Sequence, residues 1–303
     1  MAQGIGFQGF LGHRTIMTPG LPTLAIIDTL VVMTETSDVF LYETEDGPLA
    51  YRDTGEGAPL VLLHGGFVDH RMWNGQIAHF SRRYRVIAPD TRGHGGSANA
   101  SVPFRQTDDL AALLRHLDVG PAVLVGLSMG AGIAVDTALE HPGLVRALVV
   151  SGAGTSEPVF DDPWAQAILA EWARATAAGD AAAFLAAHML FVAGPHRALG
   201  DVDEAVVRDV RNMVEYTLSK HTGTEPPRLV PVPDTWARAA KLPVPVLAIS
   251  GALDSPDPIA MAERLADAAP DGRTATVEGT AHYPNMERPE TFNEILDAFL
   301  QRV

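Results

Sequence analysis

The 303-residue chain has no cysteine. That one absence excludes disulfides, thiolate metal sites and thiol catalysis together, and leaves Ser, Thr, Lys, Asp and Glu as the available nucleophiles. Basic residues are also scarce: 22 Lys and Arg face 37 Asp and Glu, a formal charge of −15. So acidic a surface argues against nucleic acid or an anionic membrane as partner, because neither can be bound by releasing counterions. Low-complexity tracts and internal repeats are absent, and with 47% hydrophobic and 19% charged residues the chain reads as an ordinary globular protein. Long apolar runs are missing too. LPTLAIIDTLVVM (residues 21–33) is interrupted by Asp28, preceded only by Arg14 and followed by no small-residue cleavage site, so it makes a poor signal peptide and is too short for a membrane span. A cytoplasmic protein is expected. Residues 1–36 read as a poorly ordered N-terminal extension without assigned function. Met33 resembles a natural start, which leaves open whether residues 1–32 belong to the natural chain.

What is present is an alternation. VFLYETE and PLAYRDTG form a hairpin pattern around Asp46-Gly47. Short apolar runs of the kind that fill a buried parallel sheet follow: PLVLLHG, RVIAPD, AVLVGLS, ALVVSG, PVLAISG and TATVEG. Helical patterns separate them, at residues 71–83, 104–117, 129–141, 257–269 and 289–302. The series predicts an α/β fold, a mostly parallel sheet with helices on both faces. The alternation fails between residues 155 and 241, where only helical patterns occur. That length is too great for a loop, so residues 37–154 and 242–303 are assigned to the core and 155–241 to an inserted helical cap.

In an open α/β sheet, ligands bind beyond the carboxyl ends of the strands. Gly126-Leu127-Ser128-Met129-Gly130 stands at one such end and opens a helix. There the glycines permit a sharp turn that projects the serine Oγ above the sheet. The competing reading is a turn serine bonded to its own backbone. A serine nucleophile needs a base, and the base needs an orienting carboxylate. His282 follows the last strand and Asp254 the preceding one, giving the chain order Ser128, Asp254, His282. Asp257 is the rival acid and fits better as a cap of the helix starting at Pro258. Backbone N–H groups of Met129 and of Gly66, in the HGG loop, are the candidate oxyanion donors, with Phe67 the fallback. No metal or other cofactor is called for: His188, His196 and His221 lack ligand spacing and read as surface or packing residues.

Taken together, LVLLHGGFVDHRMW, DTRGHGGS, VGLSMGAG, ISGALDSPDP and GTAHYPNMERPETFNEILDAFL resemble the α/β-hydrolase superfamily over residues 39–303. The resemblance implies an eight-stranded sheet, a helical lid, Ser128 as nucleophile, His282 as base, Asp254 as its orienter and Asp90 as a loop-holding residue. Members with a Gly-x-Ser-Met-Gly turn include esterases, enol-lactone hydrolases, carbon–carbon hydrolases and cofactor-free haloperoxidases. Leu127 before the serine and the loop HGGFVDH disfavour the carbon–carbon branch, and the absence of proline in that loop disfavours the haloperoxidases. The favoured expectation is hydrolysis of a small or medium ester or lactone. The alternatives are a cofactor-free haloperoxidase or perhydrolase, or a carbon–carbon bond hydrolase, with the same triad, and a small-molecule sensor with little turnover. Phe67, Trp164, Trp172, Met189 and Phe191 could line the pocket, although packing within the cap is the weightier reading for the last four. Assembly as a homo-oligomer is left open.

Overall fold

In the computed structural model, which describes residues 39–223 and 225–303, the apolar runs pair into one eight-stranded sheet. The expected extension at residues 1–36 lies outside the described residues. β1 (Val39–Tyr42) and β2 (Leu49–Thr54) form the hairpin. β3 (Ala58–Leu63), β4 (Tyr84–Pro89), β5 (Ala122–Leu127), β6 (Val145–Ser151), β7 (Val246–Gly251) and β8 (Gly272–Val277) follow. The spatial order is β1-β2-β4-β3-β5-β6-β7-β8, antiparallel at its first two pairings and parallel elsewhere. From β3 the chain steps to β4 on one side and then returns to β5 on the other. The order therefore reverses between β3 and β5, and at such a point the loops leaving the two strands diverge and open a crevice.

Side chains alternate across this sheet with period two. Leu60, Leu62, Val123 and Val125 pack on one face with Ile77 and Phe80 of α1 (Asn74–Phe80). Val61, Leu63 and Leu124 pack on the other with Leu110, Leu113 and Leu114 of α2 (Gln106–His116) and with Ile133 and Ala134 of α3 (Met129–Glu140). The continuous helix expected over 71–83 is instead a 3-10 turn, His70–Trp73, followed by α1. Asp69 sets that turn, because its carboxylate accepts both the Arg71 backbone N–H (3.1 Å) and the Arg71 guanidinium (2.6 Å).

Between β6 and β7 run α4 (Pro163–Ala178), α5 (Ala181–Ala193), α6 (Glu204–Ser219) and the short α7 (Thr235–Ala239). Val206, Val210, Met213 and Val214 of α6 share the core cluster that contains Leu60 and Leu62, so this insertion is packed onto the sheet layer and not hung from it. α8 (Pro256–Ala268), α9 (Pro284–Glu287) and α10 (Pro289–Leu300) complete the chain. Among the described residues, no helix is long and apolar enough to cross a membrane.

Packing is close where α3 meets the sheet. A Cβ on Gly130 would stand 2.1 Å from the Leu63 carbonyl oxygen, and one on Gly126 would stand 2.2 Å from the Gly130 carbonyl oxygen. Both obstacles are backbone, which cannot swing aside as a side chain can. Gly130→Ala is therefore expected to destabilise the fold by about 3 kcal/mol, the upper range for overpacking. Gly143→Ala, which meets nothing within 4 Å, should stay within about 0.5 kcal/mol of the parent. Urea unfolding of the two variants checks this, and similar midpoints would refute the close-approach argument.

Candidate active site

Because β5 ends at Leu127 and α3 begins at Met129, the chain must reverse within one residue. Ser128 does this at φ 53° and ψ −114°, a region that non-glycine residues rarely occupy. The strain, about 1–3 kcal/mol by general experience, is held by bonds on both sides. The Ser128 N–H donates to the Ser151 carbonyl at 2.7 Å, and the Ser128 carbonyl accepts from Ala131 and Gly132 at 3.0 and 3.2 Å. Met129 is thereby the first residue of α3, where no intrahelical carbonyl reaches its N–H. Gly66, on the loop after β3, lies beside it: a Cβ there would meet only the Met129 Cβ, at 4.0 Å. His64 supports that loop from beneath. Its Nε2 accepts the Thr91 N–H at 2.9 Å, which leaves the ring proton on Nδ1 to donate to the Gly65 carbonyl at 2.7 Å.

The loops after β7 and β8 bring Asp254 and His282 together. His282 Nδ1 lies 2.8 Å from Asp254 Oδ2, with both residues buried, and Asp254 Oδ1 accepts the Ser255 N–H at 2.8 Å. Asp257 does not reach His282 and does not cap α8, whose N-cap is Ser255. Its carboxylate instead accepts the N–H of Asp162, the residue that caps α4, at 2.8 Å. That corrects the capping role expected for it: α8 starts two residues earlier than Pro258, so Asp257 already lies within its first turn.

Two supports of His282 were not singled out in the sequence. Gly152, at φ +68°, follows β6, and a Cβ there would stand 2.7 Å from the His282 Cε1, so the imidazole occupies the room a side chain would take. The glycine closing ALVVSG was visible, but nothing local said what it faced. The second is a clamp from the inserted helices. Arg197 pairs with Glu287 at 2.7 Å and donates to the Gly279 carbonyl at 3.0 Å, while Glu287 accepts the Ala281 N–H at 2.8 Å. The loop carrying His282 is thus tied to the end of α5.

Ser128, His282, Gly66 and Met129 line one cavity of about 360 Å³. Phe67, Trp172 and Phe191 also line it; Trp164 and Met189 do not. Trp164 packs edge-on against Phe191 at 5.4 Å, and Met189 lies in the core with Val192 and Val210. Because α5 is apolar all round, spacing could not say which of its faces meets the crevice, and Met189 lies on the other one; Trp164 belongs to α4. His188 is a correction of a different kind. It is buried, as a packing residue should be, but it is also part of the cavity wall, stacked on Trp172 at 5.5 Å with its Nε2 3.0 Å from the Tyr283 hydroxyl. Burial pushes the His188 pKa down to about 3, aided by nearby His282, and burial raises that of Tyr283, so the phenol keeps its proton to donate to a neutral imidazole. Among the described residues, no Lys, Arg, Asp or Glu lines the cavity.

Among the described residues, one group has metal-ligand geometry: Asp69, His70 and Asp90. Its donors are already engaged. Asp90 accepts the His70 N–H and faces the His70 Nδ1, both at 2.8 Å, and accepts the Gly96 N–H at 2.8 Å, while Asp69 holds Arg71. Asp90 thus ties the loop after β4 to the turn after β3. Burial alone would raise its pKa, but the bonds from His70 prevail and hold it below the ordinary carboxylate value.

A family model described as alpha/beta hydrolase fold matches residues 58–289. A pimeloyl-[acyl-carrier protein] methyl ester esterase of Aromatoleum aromaticum is 34% identical, the match covering 76% of this chain and 93% of that protein. A 3-oxoadipate enol-lactonase of Acinetobacter baylyi is 28% identical over 85% of this chain and 95% of its own. The solved structure titled "Est816 as an N-Acyl homoserine lactone degrading enzyme" superposes with a TM-score of 0.70 at 26% identity, covering 86% of this chain and 99% of that one.

The buried neutral His188 makes stability depend on pH in a defined direction. Its folded pKa of about 3 lies below the ordinary 6.5. Between these values the unfolded chain binds more protons, so its contribution is complete above pH 6.5 and declines as pH falls toward 3. The wild type should therefore lose stability relative to His188→Gln by up to about 1.4 kcal/mol per pH unit over that window. Urea titrations at pH 7.5, 6 and 5 test this, and a pH-independent difference would show that His188 is not held neutral.

Proposed function

Because the chain belongs to the alpha/beta hydrolase fold family, we propose that it is a serine hydrolase cleaving a small or medium, uncharged carboxylic ester or lactone through an acyl-enzyme on Ser128. The observation that carries this reading is the buried His282–Asp254 pair, 2.8 Å apart, on the cavity that Ser128 also lines. Asp254 holds the Nδ1 proton and leaves Nε2 as the base. His282 takes the Ser128 proton as Oγ attacks the carbonyl carbon. The oxyanion is held by the N–H groups of Gly66 and Met129, the latter at the positive end of α3. His282 then gives the proton to the leaving alkoxide, the carbon–oxygen bond breaks, and a water activated by the same imidazole releases the acid.

The lining supports the choice of substrate. A substrate bearing a free carboxylate would meet no cationic side chain there, and an unpaired charge in an apolar cavity is costly. An ester with an aliphatic or aromatic acyl group meets Phe67, Trp172 and Phe191, which it can cover without losing hydrogen bonds. The likeness to an esterase and to an enol-lactonase supports the same bond class.

A fluorophosphonate probe should label Ser128, and a panel of p-nitrophenyl esters and lactones should be turned over without added cofactor. Ser128→Ala and His282→Gln are each expected to lower kcat about 10³- to 10⁶-fold, and Asp254→Asn about 10²- to 10⁴-fold. Near-parental activity of Ser128→Ala would remove the nucleophile assignment. Labelling without multiple turnover would favour a sensor, and peroxide- and acetate-dependent halogenation would favour a perhydrolase.

A further inference from the structure

Phe67 lines the cavity at Ser128 and also lines a second cavity. The second space, about 300 Å³, is lined by Phe67 together with Ala175, Thr176, Phe184 and Leu218, from the end of α4, the body of α5 and the end of α6. Among the described residues, Phe67 is the one common to the two linings. Its ring is gripped from several directions, by Phe184 edge-on at 4.6 Å, by His188 at 5.8 Å and by Trp172 at 5.9 Å. Its backbone is also unusual. At φ 64° it is a bulky residue in the left-handed region, which persists only where the surroundings over-determine it.

Resting on the serine-ester reading, we propose that Phe67 is a specificity-determining wall: its ring closes the acyl end of the site against the second cavity, which is a latent extension for an aliphatic chain. The dimensions agree. A space of about 360 Å³ lies at the small end of ligand pockets, and joining the two would bring the site well inside the usual range. The second lining is mixed: Phe184, which packs against Phe67, with Leu218 and Ala175 offers apolar surface that would dehydrate a hydrocarbon chain passing the wall, while Asp180, His221, Thr222 and Glu225 form its polar part. Three nearby helices set its far side, which makes it fillable from outside without touching the first cavity. Thr176, exposed on α4, and Leu218 on α6 belong only to the second lining.

The experiment measures chain-length preference twice. Hydrolysis of p-nitrophenyl butyrate and decanoate is followed in the active protein, and binding of pentan-2-one and undecan-2-one by calorimetry in the Ser128→Ala background. Phe67→Ala is expected to raise the long-to-short ratio of kcat/KM, and of ketone affinity, at least tenfold, since each methylene newly buried can contribute up to about fourfold. Lower kcat at every length is a shift of the neighbouring Gly66 N–H and does not alter the ratio. Adding Thr176→Phe or Leu218→Trp should cancel the gain, while each filling alone leaves the parental ratio unchanged. Should Phe67→Ala unfold, Phe67→Leu carries the test with a smaller shift. An unchanged ratio, or a gain that survives both fillings, overturns the wall. Failure of the ester reading looks different: no Ser128-dependent turnover at any length, with the ketone ratio still moving.

Discussion

The close approach of α3 to the sheet is the constraint from which the site follows. With no Cβ on Gly126 or Gly130, the first turn of α3 settles against the carbonyls of Leu63 and His64 and against the end of β5. The chain can then leave β5 and enter α3 within a single residue, and Ser128 has to absorb the whole reversal at positive φ. The same approach sets the Met129 N–H beside Gly66, because the residues that α3 touches belong to the strand from which the Gly66 loop departs. The positions of the proposed nucleophile and of its proposed oxyanion donors therefore come from one packing event and not two.

Around that rigid centre the other groups are secured by charge and hydrogen bonding. Asp254 and His282 come from neighbouring strand ends, and their pairing depends on a loop whose amide Ala281 is held by Glu287. Glu287 in turn is neutralised by Arg197, in the loop after α5, which also donates to the carbonyls of Val192 and Ala193 at the end of that helix. A buried carboxylate without that partner would be strongly destabilising, so the inserted helices are coupled electrostatically to the histidine loop. Asp90 does similar work on the opposite side of the crevice, joining the loop after β4 to the turn after β3. Under the proposed mechanism the inserted helices thus help to position His282.

The strands and the site differ in how far they could be read from the sequence. Buried parallel strands announce themselves as apolar runs, and the six runs after the hairpin coincide with strands to within about two residues. Ser128, Asp254 and His282, the proposed triad, could be singled out because each stands at a strand end, and strand ends converge in this topology. The cavity wall was not. α5 is apolar on every side, so no periodicity tells Phe191, which faces the cavity, from Met189, which faces the core. His188 and Gly152 were missed for a related reason: each owes its role to a partner distant in the chain, Tyr283 for the one and His282 for the other. Asp257 went astray by register, since a helix that starts two residues earlier turns a capping position into an interior one.

Two residues in this crevice, Ser128 and Phe67, have positive φ without being glycine, and they sit on loops leaving adjacent strands. Their strain has different owners. Ser128 is held by backbone, through bonds to Ser151, Ala131 and Gly132, and any change to it would have to move a strand or a helix. Phe67 is held by side chains, three of them from the inserted helices, and these can be exchanged without disturbing the sheet. Rigidity therefore falls off across only a few residues, from the Gly66 N–H to the Phe67 ring. Under the proposed mechanism this divides the labour physically. The reacting atoms are fixed by packing that tolerates almost no substitution, while the length of the site is set by aromatic contacts of modest individual strength, about 0.5–1.5 kcal/mol each beyond their buried area. Substrate range can then drift by altering the wall while the reaction centre stays where the sheet puts it.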